Sequence, residues 1–215
     1  MFDRGKRRVR LEGRIAAAGF ASGDRFVLGL WDRGPLGPML DVMWARPDDR
    51  KVLLASSKAV AEFVGGVYEF DESRVVETSV TTSEAMTTVT AGPLRVQLQG
   101  GAPRKLFSLR PRFLRRSAAW VRTEDMLFRP LAGRFLIGGG SGVRLYGRSP
   151  SGVREWYCID SYRPLISGHA TLDGRDLGPL APLDPPAHFG FSEFPARPAI
   201  VDCAPLLEGA ERFLP

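Results

Sequence analysis

An acid set in an apolar run is the first residue of this chain with chemistry to offer. Asp41 lies in Met39 to Trp44, where its neighbours are otherwise apolar. A carboxylate there must reach water or be buried with a partner, because an unpaired buried charge costs several kcal/mol, on the order of what a whole domain nets in stability. Other constellations are weaker. Asp184, His188 and Ser192 supply the residue types of a serine triad, but no GxSxG elbow presents the serine. His169 and His188 are the two histidines, and the nearby carboxylates lack ligand spacing, so no metal site is expected. Cys158 and Cys203 have no CxxC spacing, which disfavours zinc and a disulfide framework, and the apolar neighbours of Cys203 predict a buried, inert thiol. Gly138 to Gly142 is followed by Val-Arg-Leu-Tyr rather than Lys-Ser/Thr, so it reads as a hairpin turn and not a phosphate loop. No cofactor is implied.

Elements must position these groups. Phe26 to Trp31 and Met39 to Trp44 are apolar on both faces, which fits strands covered on two sides. Gly34-Pro35-Leu36-Gly37-Pro38 between them continues neither strand nor helix and predicts a turn. Residues 7 to 19 alternate, with Val9, Leu11, Gly13 and Ile15 on one face, as one first strand; Lys51 to Ala55 is another. Val60, Ala61, Phe63, Val64 and Val67 fall at helical spacing behind Ser56 or Ser57, either of which can cap the free amides. Arg74 to Gln99 is strand-like and broken at Ala91-Gly92-Pro93. Ser117 to Phe128 predicts a short second helix ended by Pro130. Arg134 to Ile137, Val143 to Gly147 and Glu155 to Tyr162 read as strands, the last carrying Asp160. Residues 178 to 198 form a proline-rich loop, a length that is often functional, and Ala199 to Cys203 is the final strand.

Seventeen prolines and 24 glycines spread through 215 residues argue against long helices, while 44% hydrophobic residues suit a packed core. The expectation is a mostly β (α+β) fold: an antiparallel β-barrel or cone with one or two short helices, as a single domain over 1–215. No apolar run approaches a membrane span and no signal-length apolar segment follows the basic start, so a soluble cytoplasmic protein is expected. The net charge of +6 is carried by arginine. High Arg, Ala and Gly with little Lys is what a GC-rich genome produces, and that explains the charge more readily than a selected nucleic-acid surface.

The corner from Gly34 to Pro38, with an acid three residues beyond, resembles the SPVGPYDEL-type turn of acetoacetate decarboxylase-like proteins. That resemblance places Asp41 where the family carries a glutamate, in the interior of a β-barrel around its pocket. It implies a mostly antiparallel closed sheet. The family's imine-forming lysine sits in a Gly-aromatic-Pro-Lys-Lys-Leu motif. Gly101-Ala102-Pro103-Arg104-Lys105-Leu106 is similar, with Arg104 at the reactive position and Lys105 matching the neighbouring lysine. Arginine stays protonated and cannot form the imine.

The leading reading is therefore a pocket protein for a small organic molecule, an organic anion being one candidate, without Schiff-base decarboxylase activity. Its candidate ligand-binding residues are Asp41, Arg33, Trp44, Arg104, Lys105, His188 and Glu193. The residues do not separate an enzyme from a binding protein. The alternative is a basic β-domain binding nucleic acid or an anionic membrane through Arg4 to Arg10 and Arg104 to Arg116, where Phe107 and Phe113 interleave the arginines.

Overall fold

The computed structural model describes residues 7–83, 85–104, 117–135 and 143–215. The strands are β1 (Arg8–Arg10), β2 (Glu12–Phe20), β3 (Arg25–Arg33), β4 (Met39–Ala45), β5 (Lys51–Ala55), β6 (Glu72–Val75), β7 (Thr78–Thr82), β8 (Met86–Ala91) and β9 (Leu94–Gly100). They continue with β10 (Tyr146–Arg148), β11 (Arg154–Trp156), β12 (Ile159–Leu172), β13 (Arg175–Asp176), β14 (Leu180–Ala181), β15 (Ala199–Cys203) and β16 (Leu206–Glu208). Among the described residues, two α-helices, α1 (Lys58–Val67) and α2 (Ala118–Phe135), complete a mostly β fold.

The main sheet runs β6-β5-β4-β3-β2-β15-β12-β9-β8-β7, antiparallel except for the β5–β6 pair. It curls into a half-barrel. Alternation in β2 to β5 sends one set of side chains, including Ala16, Phe26, Leu28, Val42 and Leu54, into a core shared with Val89, Val96 and Leu98 of β8 and β9. Because residues from both ends of the sheet meet there, this face is the concave one. The opposite set, including Ile15, Val27, Trp31, Met39 and Met43, packs under α1 through Val60, Phe63, Val64 and Val67. Both faces of β3 and β4 are thus covered, as their unbroken apolar runs require.

A smaller sheet, β1-β16-β11-β10, is added at the side. The expected first strand over residues 7 to 19 is divided at Leu11, whose N–H donates to the Pro205 carbonyl at 3.0 Å, one step beyond the last β1–β16 pair. The backbone changes partners there, β1 joining the small sheet and β2 the large one.

Ser57 is the N-cap of α1, its hydroxyl accepting from the Val60 N–H at 3.2 Å. Replacing it with alanine should cost about 1 kcal/mol in urea unfolding. Helix α2 differs from expectation, since it runs through Pro130 to Phe135. Proline removes the bond to the carbonyl four residues back, on Met126, and the helix continues past that loss. Residues 134 and 135, expected in a strand, belong to this helix. Ala199 to Cys203 is not the last strand either, because β16 follows it. Within residues 178 to 198, β14 pairs with β2 and His188 bridges Glu193. The buried Arg25 side chain anchors that segment, donating to the Pro185 and Arg46 carbonyls at 2.8 and 2.7 Å and pairing with Asp49 at 2.7 Å. The Gly138–Gly142 turn, Phe107, Phe113 and most of the Arg104–Arg116 segment lie outside the described residues. No described helix is long and apolar enough to cross a membrane.

Candidate functional site: a buried acid beneath the helix

Asp41 follows Met39 and precedes Met43 on the helix-covered face of β4. Its side chain is therefore outside the curl of the half-barrel, between sheet and helix, rather than in the barrel interior that the family resemblance implied. Parity alone decides this: a one-residue shift along a strand moves a side chain to the other face.

Opposite Asp41 on β3 is Gly29. A Cβ there would lie 2.4 Å from Asp41 Oδ1 and 2.7 Å from Trp31 Nε1, so the missing side chain is what leaves room for the carboxyl. Trp31 Nε1 donates to Asp41 Oδ1 at 2.9 Å. Asp41 is 1% exposed, and its Oδ2 has no described hydrogen-bond partner. Burial raises the carboxyl from an ordinary 3.8 to about 7, against a lowering contribution from the Trp31 bond.

Asp41 shares a cavity wall with Trp31, Phe63, Tyr68, Tyr157 and Phe194; the remainder is aliphatic, with Met39 and Met43 among it. Its free volume is about 30 Å³, room for two or three water molecules at roughly 10–15 Å³ each. Anything larger than a few non-hydrogen atoms requires side chains to move, and the two thioethers are the walls best able to do so.

Behind the tyrosines is a second buried acid. Glu155 projects from β11, and its Oε2 accepts from the Tyr68 and Tyr157 hydroxyls at 2.6 and 3.2 Å, while the two hydroxyls are 2.6 Å apart. Burial raises Glu155 from an ordinary 4.5 to about 7, opposed by the two tyrosine bonds. Burial and the neighbouring Glu155 push both phenols well above their usual range. Tyr68 is fixed at the end of α1, where its N–H bonds to Val64, and Gly190 packs against its ring.

The remaining candidates are dispersed. Trp44 is on the concave face, stacked on Phe26, with Nε1 donating to Asp24 at 2.8 Å. Arg33 has an 82% exposed side chain 3.5 Å from Glu12. The Arg104 N–H bonds to the Tyr162 carbonyl, and Lys105 lies outside the described residues. His188 is exposed and Glu193 half-buried in the 178–198 segment, which reaches the cavity through Phe194 instead. Ser192 donates to the Glu193 carbonyl and accepts from the Arg144 N–H, so it is not aligned as a triad nucleophile. Burial raises the Cys203 thiol well above its usual range, as its apolar neighbours predicted. Of the N-terminal arginines, Arg8 pairs with Glu208 and Arg10 with Glu12. Glu155, Tyr68 and Tyr157 carry no motif by which the sequence could have grouped them. On the concave face, Arg14, Asp202, Ser161 and Thr87 form a separate hydrogen-bonded cluster.

Fold and cavity together define a half-barrel β-protein with a buried acid under its covering helix. In a comparison of folds, the chain is similar to an acetoacetate decarboxylase from Legionella pneumophila at 8% identity and a TM-score of 0.41, over 95% of this chain and 85% of that one. No family model and no curated protein matches the sequence.

Proposed function

We propose that the chain is a pocket protein for a molecule of a few non-hydrogen atoms, held beside Asp41 in the cavity between sheet and α1, and that it acts without an imine-forming lysine. The observation that carries this reading is the Oδ2 of Asp41, a buried polar atom in a cavity wall with no described partner. A group left in that state lowers stability unless something occupies it. An acid near 7 also gives or takes a proton readily at neutral pH, the property expected of a binding or catalytic carboxyl.

Imine chemistry needs a lysine at the pocket. Lys58 is 86% exposed and near Glu62, and Lys51 begins β5; neither lines the cavity. After incubation with pyruvate and borohydride, the intact mass should be unchanged. A stable adduct on any lysine would remove that part of the proposal. For the pocket itself, the Trp31 indole N–H is the reporter. Small acids, alcohols and amines of up to about five non-hydrogen atoms should include at least one class that shifts its resonance, and a silent panel would overturn the reading.

A further inference from the structure

We propose that the occupant of this cavity is a small organic ammonium ion bearing at least one N–H, bonded to Asp41 Oδ2 and enclosed by Trp31, Phe63, Tyr68, Tyr157 and Phe194. The inference rests on the pocket reading above and adds the class of ligand. Three features of the wall carry it. Its one carboxyl has an oxygen without a described partner, and Asp41 is 1% exposed. Five of its sixteen residues are aromatic, and none of those sixteen is Lys, Arg or His. The other acid nearby, Glu155, stands directly behind the two tyrosines.

Each feature selects against an alternative. An anion would enter beside an acid with no described cation in the wall to receive it. An alcohol could bond Oδ2 but would leave the carboxylate's charge uncompensated, whereas an ammonium ion brings both the N–H donor and the opposite charge. A hard metal ion asks for six or more oxygens, against one carboxyl and two phenols here. Sites combining rings with an acid are suited to ammonium groups, the N–H meeting the carboxylate and the alkyl part meeting the aliphatic wall.

Binding is a proton exchange. The ammonium keeps its own proton, Asp41 gives up the carboxyl proton to solvent, and the charged pair replaces a neutral acid. The titratable groups packed around the site are Glu155, Tyr68, Tyr157 and Cys203; burial raises the last three beyond the neutral range, and Glu155, like Asp41, lies at about 7. Affinity should therefore rise with pH up to about 7 and level off above it.

The test uses the full chain and methylammonium chloride, with tetramethylammonium chloride, sodium acetate and ethanol as comparisons at matched ionic strength. Methylammonium should shift the Trp31 indole N–H at pH 8 with a Kd on the order of millimolar, as suits two non-hydrogen atoms. The comparisons should bind at least about tenfold more weakly. Affinity should fall by about tenfold per pH unit between 7 and 5, and at pH 5 to 6 the calorimetric enthalpy should vary with the buffer as about one proton is released, a dependence that fades at pH 8. D41N should lose about tenfold or more in methylammonium affinity. Equal binding by folded D41N, pH-independent binding, or preference for acetate, ethanol or tetramethylammonium would each overturn the ammonium assignment. Acetate or ethanol binding alone would do so while leaving the pocket reading intact; a failure of every compound would end both.

Discussion

At pH 8 the D41N variant should be more stable than the wild type by about 2–4 kcal/mol, and at pH 4 the two should agree within about 1 kcal/mol. The folded Asp41 holds its proton to about 7, whereas the ordinary value is 3.8. Between those values the unfolded chain releases a proton that the folded chain retains. Stability is thus fully present at acid pH and is lost as pH rises toward 7, by about 4 kcal/mol from this group. Asparagine makes no such loss. It can keep the Trp31 N–H satisfied through its amide oxygen, and the lower end of the range allows for an amide N–H2 left without an acceptor where Oδ2 stood. Glu155 follows the same sign from 4.5 to about 7, so D41N should retain part of the decline and D41N/E155Q should flatten more of it. Urea unfolding at pH 4, 6 and 8 measures all of this. A D41N protein less stable than wild type at pH 8 would sink the account of a carboxyl buried in its neutral form. If the prediction holds, Asp41 is a residue whose presence costs stability in the empty protein, the usual mark of a functional rather than a structural group.

The second large effect is expected at Gly29. Glycine to alanine in a strand ordinarily gains about 0.5–1 kcal/mol through the unfolded state. Here the added methyl would lie 2.4 Å from Asp41 Oδ1 and 2.8 Å from Asp41 Cγ. The carboxyl must swing away, Trp31 loses its acceptor, and overpacking adds to the broken bond. G29A should therefore lose about 3 kcal/mol and move the Trp31 indole resonance. In a D41A background the two carboxyl contacts are gone and the 2.7 Å approach to Trp31 Nε1 remains, against an indole no longer tethered to the acid, so the same glycine substitution should cost less and the double-mutant cycle reports the carboxyl's share of the conflict. A neutral or stabilising G29A in the otherwise wild-type chain would show that the acid is not held where the structure has it.

Much of the fold was legible because its causes are local. The apolar runs in β3 and β4 required cover on both faces, and both are covered. The Gly-Pro corner is the turn between them, and Gly37 has the positive φ of 76° that glycine tolerates there. Ser57 caps the helix whose spacing the apolar residues set. What was not legible depends on partners remote in sequence. Nothing local at Leu11 says that the chain passes from one sheet to the other, since the signal is the Pro205 carbonyl. Pro130 disfavours a helix by its own chemistry, yet α2 continues through it to Phe135.

The site divides in the same way. Asp41 stood out as an acid in apolar surroundings because burial and charge conflict within a few residues of sequence. Trp31 and Trp44 looked alike in composition, but strand parity sends the first to Asp41 and the second to Asp24 across the sheet. Tyr68 and Glu155 are 87 residues apart and carry no motif, so only folding makes them one hydrogen-bonded group. The sequence by itself determined that this chain is mostly β and that one acid had to be reckoned with. The tertiary structure decided which face that acid occupies, which rings surround it and which second acid stands behind them. The physical reason is that strand propensity and apolar patterning act between near neighbours, whereas a cavity is made by side chains that meet only after distant strands have paired.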